Sequence, residues 1–146
     1  MEPGGCPSVG FVQLVVGAVI VDSLIKPRRV LASRRTRPAA LKGRWEFPGG
    51  KVEPGESAEA ALIREVREEL DVTLMLGEEL MPSGSYWPIS ERLTLRIFWA
   101  EIFVGTPTPG ESHDQVRWLS ADDLYRVDWL DADREALAIV ADELSS

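Results

Sequence analysis

The sequence predicts an α/β fold in which a mixed β-sheet lies between helices, and three observations carry that prediction. An apolar, β-branched run at residues 13–21 has the pattern of a strand that is buried on both faces. Residues 58–70 repeat an apolar side chain every four positions, as the buried face of an amphipathic helix does. Further strands and a second amphipathic helix follow, so the sheet has helices to cover it.

The composition is that of one globular domain of 146 residues, with 45% hydrophobic and 27% charged residues. Residues 1–10, which are rich in Gly and Pro, are predicted to be a flexible tail, and residues 11–146 a single domain. A net charge of −8 disfavours binding to nucleic acid polymers or to an anionic membrane. The single cysteine, Cys6, cannot form an internal disulfide, which favours a cytoplasmic location. A monomer and a homodimer are both compatible with the sequence.

The other elements follow from local patterns. A second strand is predicted at residues 28–35, a loop at 38–44, and an extended segment at 45–52 that is interrupted by a Pro-Gly-Gly turn. Ser57 is a suitable N-cap for the helix at 58–70. The remaining predictions are strands at 72–75, 92–104 and 116–120, a polar loop at 105–115, and a second helix at 132–144.

Three carboxylates converge on the first predicted helix. Because residues three and four apart are neighbours on a helix, Glu65, Glu68 and Glu69 share one side, turned away from the apolar stripe. Carboxylate oxygens clustered near a Gly-Gly turn suit Mg²⁺, with Mn²⁺ as the alternative, and such an ion commonly bridges a protein to phosphates. The other interpretation is a solvated acidic face with ion pairs to Arg64 and Arg67.

A basic segment precedes this acidic helix. Residues 23–45 hold eight of the sixteen Lys and Arg residues and no acidic residue. A basic strand and loop beside an acidic helix would suit a complex of a metal ion with a polyphosphate. Within the segment, Arg28, Arg29 and Lys42 are interpreted as ordinary solvated charges.

The spacing of these residues resembles the signature of the Nudix hydrolases. That signature is G-x5-E-x7-R-E-U-x-E-E-x-G-U, where U is aliphatic, and the chain matches it at Gly50, Glu56 and residues 64–72. The single fixed position that differs is Asp71, which replaces the last Gly. That Gly ends the helix in a left-handed conformation, which Asp tolerates better than most residues do. "RWEFPGGK" and "VDWLDADREAL" further resemble the MutT-like nucleoside triphosphate pyrophosphatases of the family. The resemblance implies a Nudix-type α/β/α sandwich.

The resemblance also implies roles for the residues of the motif. Family members hydrolyse a nucleoside diphosphate linked to another group, and MutT-like members cleave a nucleoside triphosphate to the monophosphate and pyrophosphate. The implied ligands of Mg²⁺ are Glu65, Glu68, Glu69 and the backbone carbonyl of Gly49. Catalytic roles are implied for Glu65, for Arg64 and for Glu68, which is the preferred proton acceptor. Gly50 and Glu56 are implied to be structural, with Glu56 paired to Arg64.

Family members often carry one more glutamate, six residues before a tryptophan. Ser112 has that position relative to Trp118, and Glu111 or Asp114 beside it could supply the missing carboxylate. His113 is the only histidine of the chain. It is the weaker candidate for a catalytic base, because histidines in loops are more often bystanders.

Three residues are implied to contact the substrate. Arg35 would suit the phosphates or the base, and Phe47 could pack against the nucleobase or simply fill the core. Asp133 falls where the resemblance places a residue that faces the edge of the base. An ionised Asp only accepts hydrogen bonds and so favours the N4 amino group of cytosine, whereas a protonated Asp could donate to the carbonyl of 8-oxoguanine. The other interpretation is that Asp131 or Asp133 caps the last helix.

The resemblance therefore implies Mg²⁺-dependent hydrolysis of a (deoxy)nucleoside triphosphate, with dCTP, CTP or their 5-methyl forms favoured. The first alternative is the removal of 8-oxo-dGTP from the nucleotide pool. Others are hydrolysis of ADP-ribose, nucleotide sugars or dinucleoside polyphosphates, and a Nudix-fold binding module without catalysis. Such modules typically lose glutamates of the motif, and this sequence keeps them all. The expected partner is a small nucleotide.

Overall fold

The computed structural model describes residues 13–81, 87–88 and 93–146, so the predicted tail at residues 1–10 lies outside the described part of the chain. In chain order the elements are β1 (Gln13–Val21), β2 (Arg29–Arg35), β3 (Trp45–Glu46), β4 (Gly49–Lys51), α1 (Ala58–Leu70), β5 (Thr73–Leu80), β6 (Trp87–Pro88), β7 (Leu93–Val104), β8 (His113–Ser120), α2 (Asp131–Arg134) and α3 (Leu137–Ser145). Short 3-10 helices cover Ala39–Leu41 and Leu124–Arg126. No helix in these ranges is long and apolar enough to cross a membrane.

The strands form one mixed sheet, whose main path is β3-β2-β1-β7-β5. Its centre is the parallel pair β1 and β7, which runs from Gln13 opposite Leu93 to Val21 opposite Glu101. The other pairs are antiparallel: β1 with β2 and β4, β2 with β3 and β8, and β7 with β5 and β6. The predicted α/β class with a mixed sheet is therefore confirmed.

Alternate residues of β1 supply two hydrophobic cores, one on each face of the sheet. Val16, Ala18 and Ile20 pack against α1. The buried stripe of that helix is Ala58, Ala61, Leu62, Val66 and Leu70. Val19 and Val21 belong to the core that contains the buried residues of α3, Leu137, Val140 and Leu144. Because α1 and α3 lie on opposite faces, the α/β/α sandwich is also confirmed.

Helix α1 begins and ends where the sequence predicts. The side-chain oxygen of Ser57 accepts a hydrogen bond from the N–H of Ala60 at 3.1 Å, and Glu59 lies in the first turn. At the other end Asp71 adopts the left-handed conformation, with φ 60° and ψ 39°, and its N–H donates to the carbonyl of Arg67 at 3.0 Å. The Asp that replaces the usual Gly is therefore accommodated at the end of the helix.

Three elements differ from the sequence predictions. β5 continues to Leu80 instead of ending near residue 75, because it pairs with β7 through two irregularities of register. β8 begins at His113, so residues 113–115 are strand and not loop, because Arg35 of β2 pairs with His113. The predicted helix at 132–144 is divided into α2 and α3 where Ala136 donates to the carbonyl of Asp133, three residues back, in a tighter turn.

Candidate active site

Gly49 and Gly50 lie in strand β4 and not in the predicted turn, and they allow this strand to lie directly against α1. β4 pairs with β1, so that Gly49 is opposite Gly17 and Gly50 is opposite Val16. A Cβ atom at Gly49 would overlap the backbone of Val16, and one at Gly50 would overlap the carboxylate of Glu65. Gly49 therefore requires glycine, because backbone leaves no room for a side chain, whereas a side chain at Gly50 would displace the carboxylate of Glu65.

Arg64 holds the carboxylates of the motif together. Its Nε and Nη2 donate to the carboxylate of Glu56 at 2.7 and 3.0 Å, and Nη2 also donates to the carbonyl of Lys51 at 3.2 Å. Its Nη1 donates to Glu65 at 3.2 Å and to Glu68 at 3.3 Å. The hydrogen bond from Arg64 lowers the pKa of Glu56, which stays ionised. The predicted pairing of Glu56 with Arg64 is thus present, and Arg64 orients carboxylates that face the site.

Glu69 is a buried carboxylate that lacks a partner on one oxygen. Its Oε1 has no hydrogen-bond partner among the described residues. Burial and then the negative charges of Glu46 and Glu65 raise its pKa to about 8, although the N–H of Gly49 and the charge of Arg35 lower it in part. Burial also raises the pKa of Glu65. A buried carboxylate oxygen without a donor is a position where a cation would remove an energetic cost.

Three of the four predicted metal ligands, Glu65, Glu68 and Glu69, line one cavity of about 450 Å³, and Gly49, the fourth, does not line it. Among the described residues, no three acidic, histidine or cysteine side chains stand close enough to form a ready-made metal site, and the Nη1 of Arg64 holds Glu65 and Glu68. The donor set still fits a hard divalent cation, since it consists of carboxylate oxygens and the Oε1 of Glu69 is unpaired. Binding of Mg²⁺ or Mn²⁺ here stays a prediction.

Two of the three candidates for the missing fourth glutamate lie at this cavity. Ser112 and Glu111 both line it, and the Oγ of Ser112 accepts from the Nε and Nη2 of Arg37 at 3.3 and 3.2 Å. Asp114 does not line it and instead forms a bidentate pair with Arg34 at 2.9 and 2.8 Å. The hydrogen bonds from Arg34 lower the pKa of Asp114. Asp114 is therefore engaged elsewhere.

His113 is buried in a strand, which corrects the interpretation of a loop histidine. Its side chain is fully inaccessible, and its Nε2 lies 2.6 Å from the carboxylate of Glu46. Glu46 also accepts from the Nη1 of Arg35 at 3.0 and 3.2 Å. Glu46 is not among the residues predicted from the sequence, although a carboxylate between the aromatic residues Trp45 and Phe47 in a strand indicates a buried charge. β2 brings these residues together, because it pairs with both β3 and β8.

A second, largely apolar cavity of about 250 Å³ contains the three predicted substrate contacts, Arg35, Phe47 and Asp133. Glu46, Gly49 and Gly50 also line it. Phe47 is buried, and its ring centroid lies 4.7 Å from that of Trp129. The two interpretations of Phe47 are therefore compatible, because the ring packs in the core and its residue also lines the cavity.

Asp133 accepts a hydrogen bond from the backbone between β3 and β4 and does not cap a helix. Its Oδ2 accepts from the N–H of Phe47 at 3.1 Å, whereas α2 has no side-chain cap and Asp131 accepts from Arg44 at 3.1 Å. The capping interpretation is therefore wrong. Burial and, to a smaller extent, the negative charge of Glu46 raise the pKa of Asp133 to about 8. At neutral pH this carboxyl is mainly protonated, so it can donate as well as accept.

An acidic cavity beside a glycine-rich strand and an apolar cavity on an α/β/α sandwich define a nucleotide hydrolase of the Nudix type. The sequence matches the NUDIX domain family over residues 12–139, and the chain belongs to that family. It is thus a Nudix pyrophosphohydrolase that acts on small nucleotides.

Two curated relatives and one solved structure illustrate the similarity. The Mycobacterium tuberculosis protein named "Putative 8-oxo-dGTP diphosphatase 2" is 36% identical over 130 residues, which cover 87% of this chain and 89% of that protein. The Escherichia coli CTP pyrophosphohydrolase is 42% identical over 60 residues, 41% of this chain and 44% of that protein. The solution structure of the E. coli ORF135 protein has a TM-score of 0.70 and 29% identity, covering 92% of this chain and 91% of that one.

Proposed function

We propose that the protein hydrolyses nucleoside triphosphates to monophosphates and pyrophosphate, with cytidine triphosphates as the preferred substrates. The observation that carries the preference is the buried carboxyl of Asp133, which lines the apolar cavity together with Phe47. One carboxyl oxygen accepts from the N–H of Phe47, so the other oxygen is available to the edge of a base. The similarity to a CTP pyrophosphohydrolase supports the same preference.

Cytosine suits Asp133 in both protonation states of the carboxyl. The N4 amino group can donate to either form, and the protonated form can also donate to N3 of cytosine. The O6 carbonyl of guanine accepts only, so it can pair with the protonated form alone. Because the pKa of Asp133 is about 8, both forms are accessible to experiment near neutral pH.

The acidic cavity would receive the phosphates through a bound Mg²⁺, or Mn²⁺ in its place. The proposed ligands are Glu65, Glu68, Glu69 and the carbonyl of Gly49. Such an ion neutralises phosphate charge and lowers the pKa of a bound water. Glu68, whose side chain is 62% exposed, is the proposed proton acceptor because it can be reached by water. Arg35 would bind a phosphate oxygen at the junction of the two cavities.

Hydrolysis of 8-oxo-dGTP is the second candidate function. A relative named for this activity aligns with 87% of the chain. A protonated Asp133 could donate to O6 of 8-oxoguanine, which gives that base a partner at neutral pH.

The test is a substrate panel with the purified protein and Mg²⁺. The panel holds dCTP, CTP, 5-methyl-dCTP, dGTP, 8-oxo-dGTP and ADP-ribose, and nucleotide products and pyrophosphate are resolved separately. Monophosphate and pyrophosphate formed chiefly from the cytidine compounds would support the proposal. Chief turnover of 8-oxo-dGTP would favour the second candidate, and turnover of ADP-ribose alone would overturn both.

A pair of variants tests the role of Asp133 in base choice. Raising the pH from 7 to 9 ionises Asp133, so the ratio of kcat/KM for dCTP to that for 8-oxo-dGTP should rise in the wild type. Asp133→Asn should remove this pH dependence of the ratio. Asp131→Asn, which changes an exposed carboxylate two residues away, should keep it. An unchanged pH dependence in Asp133→Asn would place the selection of the base elsewhere.

A further inference from the structure

Glu46, Arg35 and His113 form a buried cluster between the two cavities. Arg35 and Glu46 line the apolar cavity, and His113 lines the acidic one. Each residue comes from a different strand: β2 contributes Arg35, β3 contributes Glu46 and β8 contributes His113. The cluster therefore stands where a nucleotide that filled both cavities would pass from its base to its phosphates.

The guanidinium of Arg35 is fixed at two of its three nitrogens. Its Nε donates to the carbonyl of Arg37 at 2.9 Å, and its Nη1 donates to both carboxylate oxygens of Glu46 at 3.2 and 3.0 Å. Within the described ranges, Nη2 has no hydrogen-bond partner. A planar group that is held on two sides presents its remaining N–H donors in one defined direction.

His113 in turn restricts Glu46. The Nε2 of His113 lies 2.6 Å from the Oε2 of Glu46, and the imidazole is completely buried. In the tautomer with its proton on Nε2, His113 donates to the carboxylate of Glu46. The Nδ1 of His113 has no partner in the described part of the chain. Glu46 is thus held by one donor from each side, and its side chain is 12% exposed.

We propose that Glu46 is a positioning residue, restrained by His113, that holds Arg35 so that Nη2 meets a phosphate oxygen of the bound nucleotide. This inference rests on the proposed function, because it assigns a nucleotide phosphate to Arg35. A buried ion pair contributes little net stability compared with apolar residues of similar size, so stability of the sheet does not account for the cluster. The cluster is explained if it orients the guanidinium of Arg35 for binding a phosphate group.

The test is Glu46→Gln, which keeps the shape of the side chain and removes its charge. Arg35 then loses its ionic partner, and we expect KM for the preferred triphosphate to rise about tenfold while kcat changes less than about threefold. His113→Gln should raise KM by a smaller factor, because it loosens Glu46 and leaves the Arg35–Glu46 pair intact. A loss confined to kcat would overturn the proposal.

Glu79→Gln is the matched control. Glu79 and Arg96 form a bidentate pair at 2.6 and 2.9 Å between β5 and β7, with 20% and 25% side-chain exposure, close to the 12% and 23% of Glu46 and Arg35. Neither residue lines the two cavities. Breaking this pair should change stability to a similar extent and leave KM at the wild-type value.

A double-mutant comparison shows whether Glu46 acts through Arg35. Arg35→Lys alone should raise KM, and adding Glu46→Gln to it should raise KM no further, because the group that Glu46 orients is gone. Independent, multiplicative effects of the two changes would overturn the proposal.

A readout without turnover separates this inference from the proposed function. If the wild type hydrolyses no nucleoside triphosphate, the proposed function fails, and the cluster is examined by NMR of the Arg35 side chain. The hydrogens on Nη1, which donate to Glu46, should exchange slowly with solvent in the wild type and in Glu79→Gln, and rapidly in Glu46→Gln. Equal exchange rates in all three proteins would show that Glu46 does not hold Arg35.

Discussion

At the scale of the residue, Asp133 makes stability depend on pH in a direction opposite to that of most carboxylates. Its pKa is raised from 3.8 to about 8 by burial and by the charge of Glu46, so the folded protein keeps a proton that the unfolded chain releases. The free energy of unfolding therefore falls as the pH rises from 3.8 to about 8. Asp133→Asn removes the ionisation and keeps an oxygen that can accept from the N–H of Phe47.

The first prediction is that Asp133→Asn becomes more stable relative to the wild type as the pH rises. Its advantage in the free energy of unfolding should grow by about 1–3 kcal/mol between pH 5 and pH 9. Urea denaturation at several pH values in EDTA measures the difference, with Asp131→Asn as the control. A constant difference across this range would mean that Asp133 is ionised in the folded protein throughout.

The second prediction concerns Glu69, whose unpaired Oε1 is the strongest local sign of a cation site. Divalent cations should raise the melting temperature of the wild type, and Glu69→Gln should lose this increase and about 100-fold or more of the hydrolytic rate. Thermal unfolding with and without Mg²⁺ or Mn²⁺ tests the first part. Glu59→Gln, an exposed change in the first turn of the same helix, should behave as the wild type. If divalent cations raise the melting temperature of all three proteins equally, Glu69 is not a ligand of the cation.

At the scale of the element, the contact between β4 and α1 gives the third prediction. Gly50→Ala would push the new methyl group into the carboxylate of Glu65, so we expect activity to fall at least about tenfold in a folded protein. Gly55→Ala is the control: Gly55 has φ of +82° and nothing within 4 Å of a Cβ. It should lose about 1 kcal/mol of stability through backbone strain and keep its activity. Kinetics and urea denaturation of both variants distinguish the two effects.

Some secondary-structure elements could be predicted from their local sequence, and others could not. α1 was predictable because Ser57 caps it, its apolar period is regular and Asp71 can end it. The start of β8 at His113 was not, because the polar residues 113–115 enter a strand only through pairing with β2. The extension of β5 to Leu80 likewise depends on β7 and passes through Gly77, which local propensity disfavours in a strand.

At the scale of the whole molecule, the segment before α2 connects the C-terminal part of the chain to β3. Trp45 donates to the carbonyl of Asp128 at 2.9 Å, and Leu130 donates to the carbonyl of Trp45 at 2.8 Å. Between them Trp129 is completely buried, with its Nε1 donating to the carbonyl of Leu124 at 2.7 Å. Its ring contacts Phe47, so this packing reaches the apolar cavity.

The fourth prediction is that Trp129→Phe affects both stability and substrate binding. It should cost about 2–3 kcal/mol, because it leaves a small cavity and a carbonyl without its donor. The loss of support for Phe47 should raise KM for nucleotides more than it lowers kcat. Urea denaturation and steady-state kinetics measure the two effects. Tyr125→Phe, at a side chain that is 62% exposed, should change neither quantity.

The motif glutamates were predictable because one helix carries them at fixed spacing, whereas the cluster around Glu46 was not. Arg35, Glu46 and His113 are joined only by the lateral order of β2, β3 and β8. The protonation of Asp133 has the same origin, since burial by distant segments sets its pKa. Sequence patterns report chemistry within one element and leave out the chemistry that arises where separate elements meet.

The parallel pairing of β1 with β7 has a consequence for how the chain acquires its structure during synthesis. β1 is made before β7, the strand that covers one of its edges, and α1 and β5 are made between them. Until then an apolar strand leaves the ribosome with an unpaired edge, which favours association with other nascent chains. We therefore expect folding to be slow and late, and fast overexpression to yield insoluble protein unless a chaperone holds the emerging chain.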